Sequence, residues 1–458
     1  MSVMWLLEAM LLGCLLVWRL EDFSAIRPRW ARAVLIFGAG AAGGVGLSAY
    51  LFLLIGVLLG APVAALVLEL AILAWTGYGL LRHRMPVVEP AGETQRPLLW
   101  PVTAGSLLLV LAIAAGAMWT AWKANPHGNW DAWAIWNLRA RYLAAEPVLA
   151  PRAWSPVLSA TTHPEYPLLL SSFVGRCWAF GRSFTTTVPA TLSGVYFFAL
   201  LALVGGSVAA LRGPTLGLMA ALSLAATPAV LHEVPAEYAD VPLACYIVGA
   251  IAFALLDRPV LAGIFAGLAA STKDEGLLFL AVFLAATALF RRRAALSAIA
   301  GALPAVAVVV LFKTVLSRGS PSLLSTSLAG VGHRLVDVRR YRTVLAAFGR
   351  EFLAMASGWY HPIWPLAMLA ATLRFDWQQR REVAYASSIL GALLAGYAGV
   401  YLVTAYDLTW VLQTSLGRLL VQAWPVLVLA GFVALRMPEA AAIVKVAPPA
   451  KARKKAGR

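Results

Sequence analysis

The sequence predicts an all-α polytopic membrane protein of about 13 transmembrane helices. Three observations predict it. Hydrophobic residues make up 61% of the 458 positions and charged residues 13%, where a soluble domain carries about 25% charge. Mean hydropathy is +0.78, and the apolar residues gather into runs that approach the roughly 20 residues needed to cross a bilayer. Basic residues then fall between alternate runs. A soluble globular protein and a disordered chain are both excluded. The formal net charge of +16 reads as the positive-inside bias of a membrane protein, not as a nucleic-acid surface.

The runs are, in order, 3–20, 33–56, 62–81, 98–122, 185–211, 214–231, 240–256, 259–272, 274–290, 295–316, 357–373, 383–405 and 413–435. The first lacks a basic leader and a small-residue cleavage site, and Glu8 interrupts it. It reads as a membrane helix, not a signal peptide. Cys14, Cys177 and Cys245 sit in apolar runs at no metal-site or disulfide spacing. One set of connections carries Arg19, Arg27, Arg29 and Arg32, then Arg82, Arg84 and Arg96, Arg212, Arg258, Arg291 to Arg293, and Arg374, Arg380 and Arg381. The tail from Lys451 to Lys455 joins that side, which is then the cytoplasm, with the N-terminus outside.

Two long segments, Lys123 to about Phe184 and Ser317 to about Ser357, fall on the outer side. The second holds Arg318, Arg334, Arg339, Arg340, Arg342 and Arg350, against the charge rule. Either a span is misplaced there or these cations meet an anionic ligand such as a lipid phosphate. In the first, Trp130, Trp133, Trp136 and Tyr142 suit the lipid–water interface. Residues 132–146 read as an interfacial helix with Trp133, Trp136 and Ala140 on one face and Asn137, Arg139 and Arg141 off it. Asp131 precedes that helix, where it would cap the helix, act as a general base at the membrane surface, or do both. The prolines around His163 and Glu165 hold the chain extended, and 168–181 reads as a second interfacial helix, too short to span and carrying Arg176.

Further outer charges are Glu237 and Asp240, the run Lys273-Asp274-Glu275-Gly276, and Arg418 near the end of the last span. Lys273 could form a local pair with Asp274 or Glu275. Ionisable groups at membrane depth are costly and mark sites or internal pairs. Asp131, His163, Glu237, Asp240, Lys273 and Arg418 all fall on one side under a topology fixed by the cytoplasmic arginines alone. That convergence points to a reaction site at the outer interface. No Walker A motif, paired repeat or broken midplane helix is legible, which argues against an ATP-driven pump and a transporter.

Trp130-Asp131-Ala132-Trp133, His163-Pro164-Glu165-Tyr166-Pro167, Glu237-Tyr238-Ala239-Asp240, the stretch Ala262 to Gly276, Thr414 to Arg418, and Trp424-Pro425 occur in that order. Together they resemble the GT-C superfamily of integral-membrane glycosyltransferases, most closely bacterial relatives of its protein-mannosyltransferase and aminoarabinose-transferase branches. The resemblance covers about 98–435 and implies a GT-C-like catalytic core, after an N-terminal three-helix segment (1–97) and before a basic cytoplasmic tail (436–458). It implies an inverting enzyme that moves a sugar from a polyprenyl-phosphate carrier to an acceptor hydroxyl at the outer face of a bacterial inner membrane. The acceptor would be a lipid, a polysaccharide or a protein. Asp131 would be the general base and Asp240 the second acid. Lys273 and Arg418, with His163, Glu165 and Glu237 beside them, would bind the carrier phosphate or the sugar. The resemblance fixes no cofactor; in some branches two acids share a divalent cation, Mg or Mn, a role open to Asp131 and Asp240. This chain departs from many relatives in having Ala132 after its acid and His163-Pro164-Glu165 where they have a Lys-Pro-Pro or Pro-Pro sequence. A flippase or a polymerase of lipid-linked glycans is the alternative.

Overall fold

The computed structural model describes residues 1–82, 99–145, 147–319, 328–355 and 360–437. Arg84, Arg96 and the tail from Pro438 onward lie outside the described residues, as does part of the second outer segment. The chain forms helices α1 (Ser2–Leu20), α2 (Arg29–Leu51), α3 (Pro62–Arg82), α4 (Leu99–Ala124), α5 (Asn137–Ala144), α6 (Leu169–Gly181), α7 (Thr187–Arg212), α8 (Pro214–Ala225) and α9 (Pro228–Ala236). It continues with α10 (Asp240–Leu255), α11 (Pro259–Ala270), α12 (Asp274–Phe290), α13 (Arg292–Leu311), α14 (Leu328–Val336), α15 (Val338–Ala354), α16 (Ile363–Thr372), α17 (Arg380–Val403) and α18 (Leu408–Ala434). Two-residue strands β1 (Arg374–Phe375) and β2 (Leu435–Arg436) pair antiparallel and tie the approach to α17 to the end of α18.

Among the described residues, eight helices are long and apolar enough to cross a membrane, or nine if α8 and α9 are one bent span. They coincide with eight of the predicted runs. The other five runs, at 214–231, 240–256, 259–272, 274–290 and 357–373, fold into helices of 9 to 17 residues. At about 1.5 Å per residue these fall short of a hydrocarbon core about 30 Å thick. In two of them hydrophobicity reports burial against protein: every residue of α10 is buried, and most of α11 is.

Small residues set the closest helix crossings, as expected where lipid offers no hydrophobic drive between helices. A side chain at Gly13 of α1 would run into the α2 backbone at Gly40 and Gly44, and one at Gly263 of α11 into α13 at Ala298. Helices α1 and α2 share one continuous core with α6, α7 and α10. The α8–α9 pair bends by 62°. Pro228 causes the break: it lacks an N–H, and it drives Thr227 to an extended conformation (φ −81°, ψ 112°).

Arginines tie one end of the bundle together. Arg212 reaches the Leu435 carbonyl and Asp376, Arg258 the Asp22 carbonyl, and Arg291 Asp257. The other end holds the site.

Candidate functional site

Asp131 stands at the N-terminal end of a π-helical turn, Ala132–Trp136, that leads into α5. Its side chain makes no capping hydrogen bond. The carboxylate instead accepts from Arg418 of α18. Arg418 lies ten residues into that helix, about 15 Å along it. Its guanidinium also faces Asp240 at 3.9 Å and stacks over the Tyr238 ring at 4.9 Å. Asp240 begins α10 and is 1% exposed. One of its oxygens accepts from Lys273 at 3.1 Å and from the Gln422 amide at 2.5 Å. Lys273 also pairs with Glu275 at 3.0 Å, and Tyr397 donates to Gln422 at 2.6 Å. Asp131, Arg418, Asp240 and Lys273 are therefore one connected network drawn from four elements far apart in sequence.

Local backbone features seat the network. Gly128 has φ +68°, and a Cβ there would crowd the Ala236 carbonyl at 2.7 Å and Glu237 at 3.0 Å. The loop before Asp131 can thus press against the end of α9, and the Asn129 amide donates to the Ala236 carbonyl at 3.0 Å. At Gly276 any side chain would meet the α11 backbone. That tight turn places Lys273 opposite Asp240.

Beside the network lies a cavity of about 550 Å³, with Arg418, Tyr238, Asn129, His232, Glu233 and Glu351 among its walls. Its volume falls in the usual range for small-ligand pockets, about 300–1,000 Å³. Of the two cations expected to hold a carrier phosphate, Arg418 reaches this cavity. Lys273, 3% exposed and held by Asp240 and Glu275, does not. Asp240 is likewise shut behind Arg418, Lys273 and Gln422. It positions the guanidinium and does not line the cavity.

His163, Glu165 and Glu237 lie outside the network. His163 Nδ1 pairs with Glu165 at 2.9 Å, and its ring stacks on Tyr166, which stacks on Trp136. Arg139 holds this loop. It is fully buried and donates to the carbonyls of Ala153 at 2.8 Å, His163 at 3.4 Å and Tyr166 at 2.5 Å. Burial pushes its guanidinium down to about 9, against the pull of Glu165 and Asp274, so it stays charged at neutral pH. Lys313, at the π-helical end of α13, joins the loop to the network's edge by donating to the Glu165 carbonyl at 2.6 Å and to Asp274 at 2.7 Å. Glu237 has φ +58° and is 7% exposed, and neither carboxyl oxygen makes a hydrogen bond. Burial pushes it up to about 8, while the nearby Asn137 amide opposes the rise without meeting hydrogen-bond geometry.

Three sequence expectations change here. Trp133, Trp136 and Ala140 do not share a face: Trp133 is 46% exposed while Trp136 and Ala140 are buried. The π-turn has more residues per turn than an α-helix and shifts the phase, which also carries Arg139 inward. Helix α6 is not interfacial; it is buried against α1, α2 and α5, with Arg176 bonded to Glu8 and Glu69. Among the described residues, two of the six arginines in segment 317–357 have a structural task. Arg334 donates to the Val403 carbonyl, and Arg340 to those of Tyr401, Leu402 and Thr404, so both cap the C-terminus of α17.

A divalent cation shared by Asp131 and Asp240 does not fit this donor set. The Arg418 guanidinium stands between the two carboxylates, and Lys273 is bonded to Asp240. Among the described residues no group of three His, Cys, Asp or Glu is placed to hold a metal. Lys313, Gln422 and Tyr397 were missed in the sequence, and Arg139 was placed away from the buried face. Lys313 alone carried a signal, a lysine near the outer end of an apolar run.

No family model, curated protein or solved structure matches this chain.

Proposed function

We propose that the protein is an inverting glycosyltransferase with a GT-C-like core. It would take a sugar from a polyprenyl-phosphate carrier at the outer face of a bacterial inner membrane. One observation carries this reading: a carboxylate, Asp131, is paired with a cation, Arg418, that lines a cavity at one end of a helical membrane bundle. Such a transfer needs a cation for the departing phosphate and a base for the acceptor hydroxyl. The acceptor oxygen attacks the anomeric carbon from the face opposite the phosphate. The bond from that carbon to the phosphate oxygen breaks, and the electron pair leaves with the polyprenyl phosphate. Arg418 takes up the charge, and Asp131 receives the hydroxyl proton. A carrier phosphate arriving at Arg418 competes with Asp131 for the guanidinium and so releases the carboxylate for its task.

The test uses purified protein in nanodiscs with a polyprenyl-phosphate hexose, following release of polyprenyl phosphate. Asp131→Asn lowers the rate at least about 100-fold, within the range for general-base loss, and leaves the protein inserted. Turnover at the parent rate ends the assignment.

A second reading has one specific observation in its favour. The broken helix pair α8–α9, unseen in the sequence, contributes Pro228, Ala229, His232 and Glu233 to the cavity. Broken helices at a binding site are a transporter feature. If proteoliposomes carrying Asp131→Asn translocate a lipid-linked sugar and the parent never cleaves it, the protein is a flippase.

A further inference from the structure

A second cavity, of about 480 Å³, opens on the other flank of the segment that carries Asp131. Asn129 belongs to the first cavity, while Asn125, His127, Trp133, Asn137 and Arg141 belong to the second. Asp131 lines neither cavity but lies in the chain between Asn129 and Trp133, so the segment 125–141 borders both cavities and carries Asp131 between them.

The walls of this cavity have a distinct chemistry. Trp133 and Phe184 line it and are 46% and 52% exposed. An open aromatic face favours the positively polarised C–H groups on one side of a sugar ring. Asn125 directs its amide nitrogen inward, to the Gly128 carbonyl at 2.6 Å and to Asn129 at 3.0 Å. Its carbonyl oxygen is left to accept from a hydroxyl. Asn137 supplies a second amide. The lining contains Arg141 and His127 but no Asp or Glu, and no carboxylate among the described residues forms an ion pair with Arg141. Its guanidinium lies 5.9 Å from the Phe184 ring centre, so the cation and the stacking surface are adjacent. Arg binds carboxylates and phosphates through two parallel hydrogen bonds.

We propose that the second cavity is a binding site for a saccharide bearing an acidic group, a phosphate or a carboxylate, with its ring against Trp133 and Phe184 and its acid on Arg141. The site's role as the acceptor site, delivering a hydroxyl to Asp131, rests on the glycosyltransferase reading. The binding itself does not.

The experiment titrates the full-length protein in phosphatidylcholine nanodiscs by calorimetry. The probes are glucose 6-phosphate and glucuronate, with glucose and inorganic phosphate as the two halves of the ligand. Both acidic sugars bind saturably, and each half binds at least about 10-fold more weakly, the cost of one lost charge-assisted contact or stacking contact. Arg141→Gln, at an exposed position that leaves the fold intact, weakens the acidic sugars about 10-fold and brings them level with glucose. Trp133→Ala weakens them too, while Asp131→Asn binds them like the parent. The proposal is overturned if inorganic phosphate binds as tightly as glucose 6-phosphate. It is also overturned if Arg141→Gln binds like the parent, or if phosphatidylglycerol in the nanodisc displaces the probe, which would make the cavity a lipid headgroup site. The two readings separate cleanly. Binding lost in Arg141→Gln with transfer unaffected in Asp131→Asn removes the enzyme and keeps the site; the reverse pair removes the site and keeps the enzyme.

Discussion

Two arginines sit among carboxylates inside this bundle, and they are differently satisfied. Arg176 is sealed. Its Nε donates to Glu69 at 3.0 Å, its Nη1 to the Trp5 carbonyl at 2.8 Å and its Nη2 to both Glu8 and Glu69, with the Phe173 and Phe180 rings around it. Arg418 is open. It bonds to Asp131, its Nε has no partner, and one side of it forms the wall of the first cavity. A guanidinium whose three nitrogens all have partners joins helices; one that lines a hollow is equipped to meet a ligand.

The two arginines respond differently to removal. Arg176→Met leaves Glu8 and Glu69 without a cation and costs about 3–5 kcal/mol, the usual penalty for breaking a buried pair. Arg418→Met costs about 1–2 kcal/mol, because Asp240 keeps Lys273 and Gln422 and the Asp131 side chain is 16% exposed. The same variant lowers sugar transfer at least about 100-fold, as loss of a charge-stabilising donor does. Thermal unfolding in detergent and the donor-cleavage assay measure both. Equal losses of stability in the two variants remove the distinction.

The sequence was most legible where sidedness constrained it. Asp131, Asp240, Lys273 and Arg418 could be assigned to one end because arginines such as Arg212 and Arg258 marked the other. The structure brings those four into contact. Hydropathy was less informative about depth: the apolar runs of α10 and α11 look like spans, yet protein rather than lipid surrounds them. The Arg176 cluster was illegible because Glu8, Glu69 and Arg176 come from three helices with no local pattern linking them. Gln422 and Tyr397 were hidden for the same reason; a neutral amide and a phenol in apolar helices give no sign of the acid they support. Arg139 was misplaced by a single π-turn, which no period of 3.6 residues anticipates.

Arg139 sharpens the comparison as a third case, a buried cation bonded to carbonyls alone. Arg139→Gln strands at least one of the Ala153 and Tyr166 carbonyls, since that of His163 keeps the Tyr166 amide, and costs about 1–3 kcal/mol. The loss is local, so amide hydrogen exchange accelerates over residues 153–166 before the bundle loosens. Uniform acceleration across α7 and α10 would show that Arg139 supports the whole core instead.

Glu237 gives the smallest effect and the one that depends on pH. Its carboxyl is buried without a hydrogen bond and is pushed up to about 8, from an ordinary value of 4.5. The folded protein therefore holds a proton there that the unfolded chain releases above pH 4.5. That proton contributes its full stability below pH 4.5, and the contribution declines as pH rises until it is lost near pH 8. The slope is at most about 1.4 kcal/mol per pH unit. Glu237→Gln carries no such proton. Its melting temperature falls less steeply than the parent's between pH 5 and 8, and the gap between the two proteins is widest above pH 8. Parallel curves would mean that water or Asn137 solvates the carboxylate. Glu237 would then be an ordinary surface acid behind Asp131, and the seat that Gly128 and Glu237 form under the loop would not depend on a neutral carboxyl.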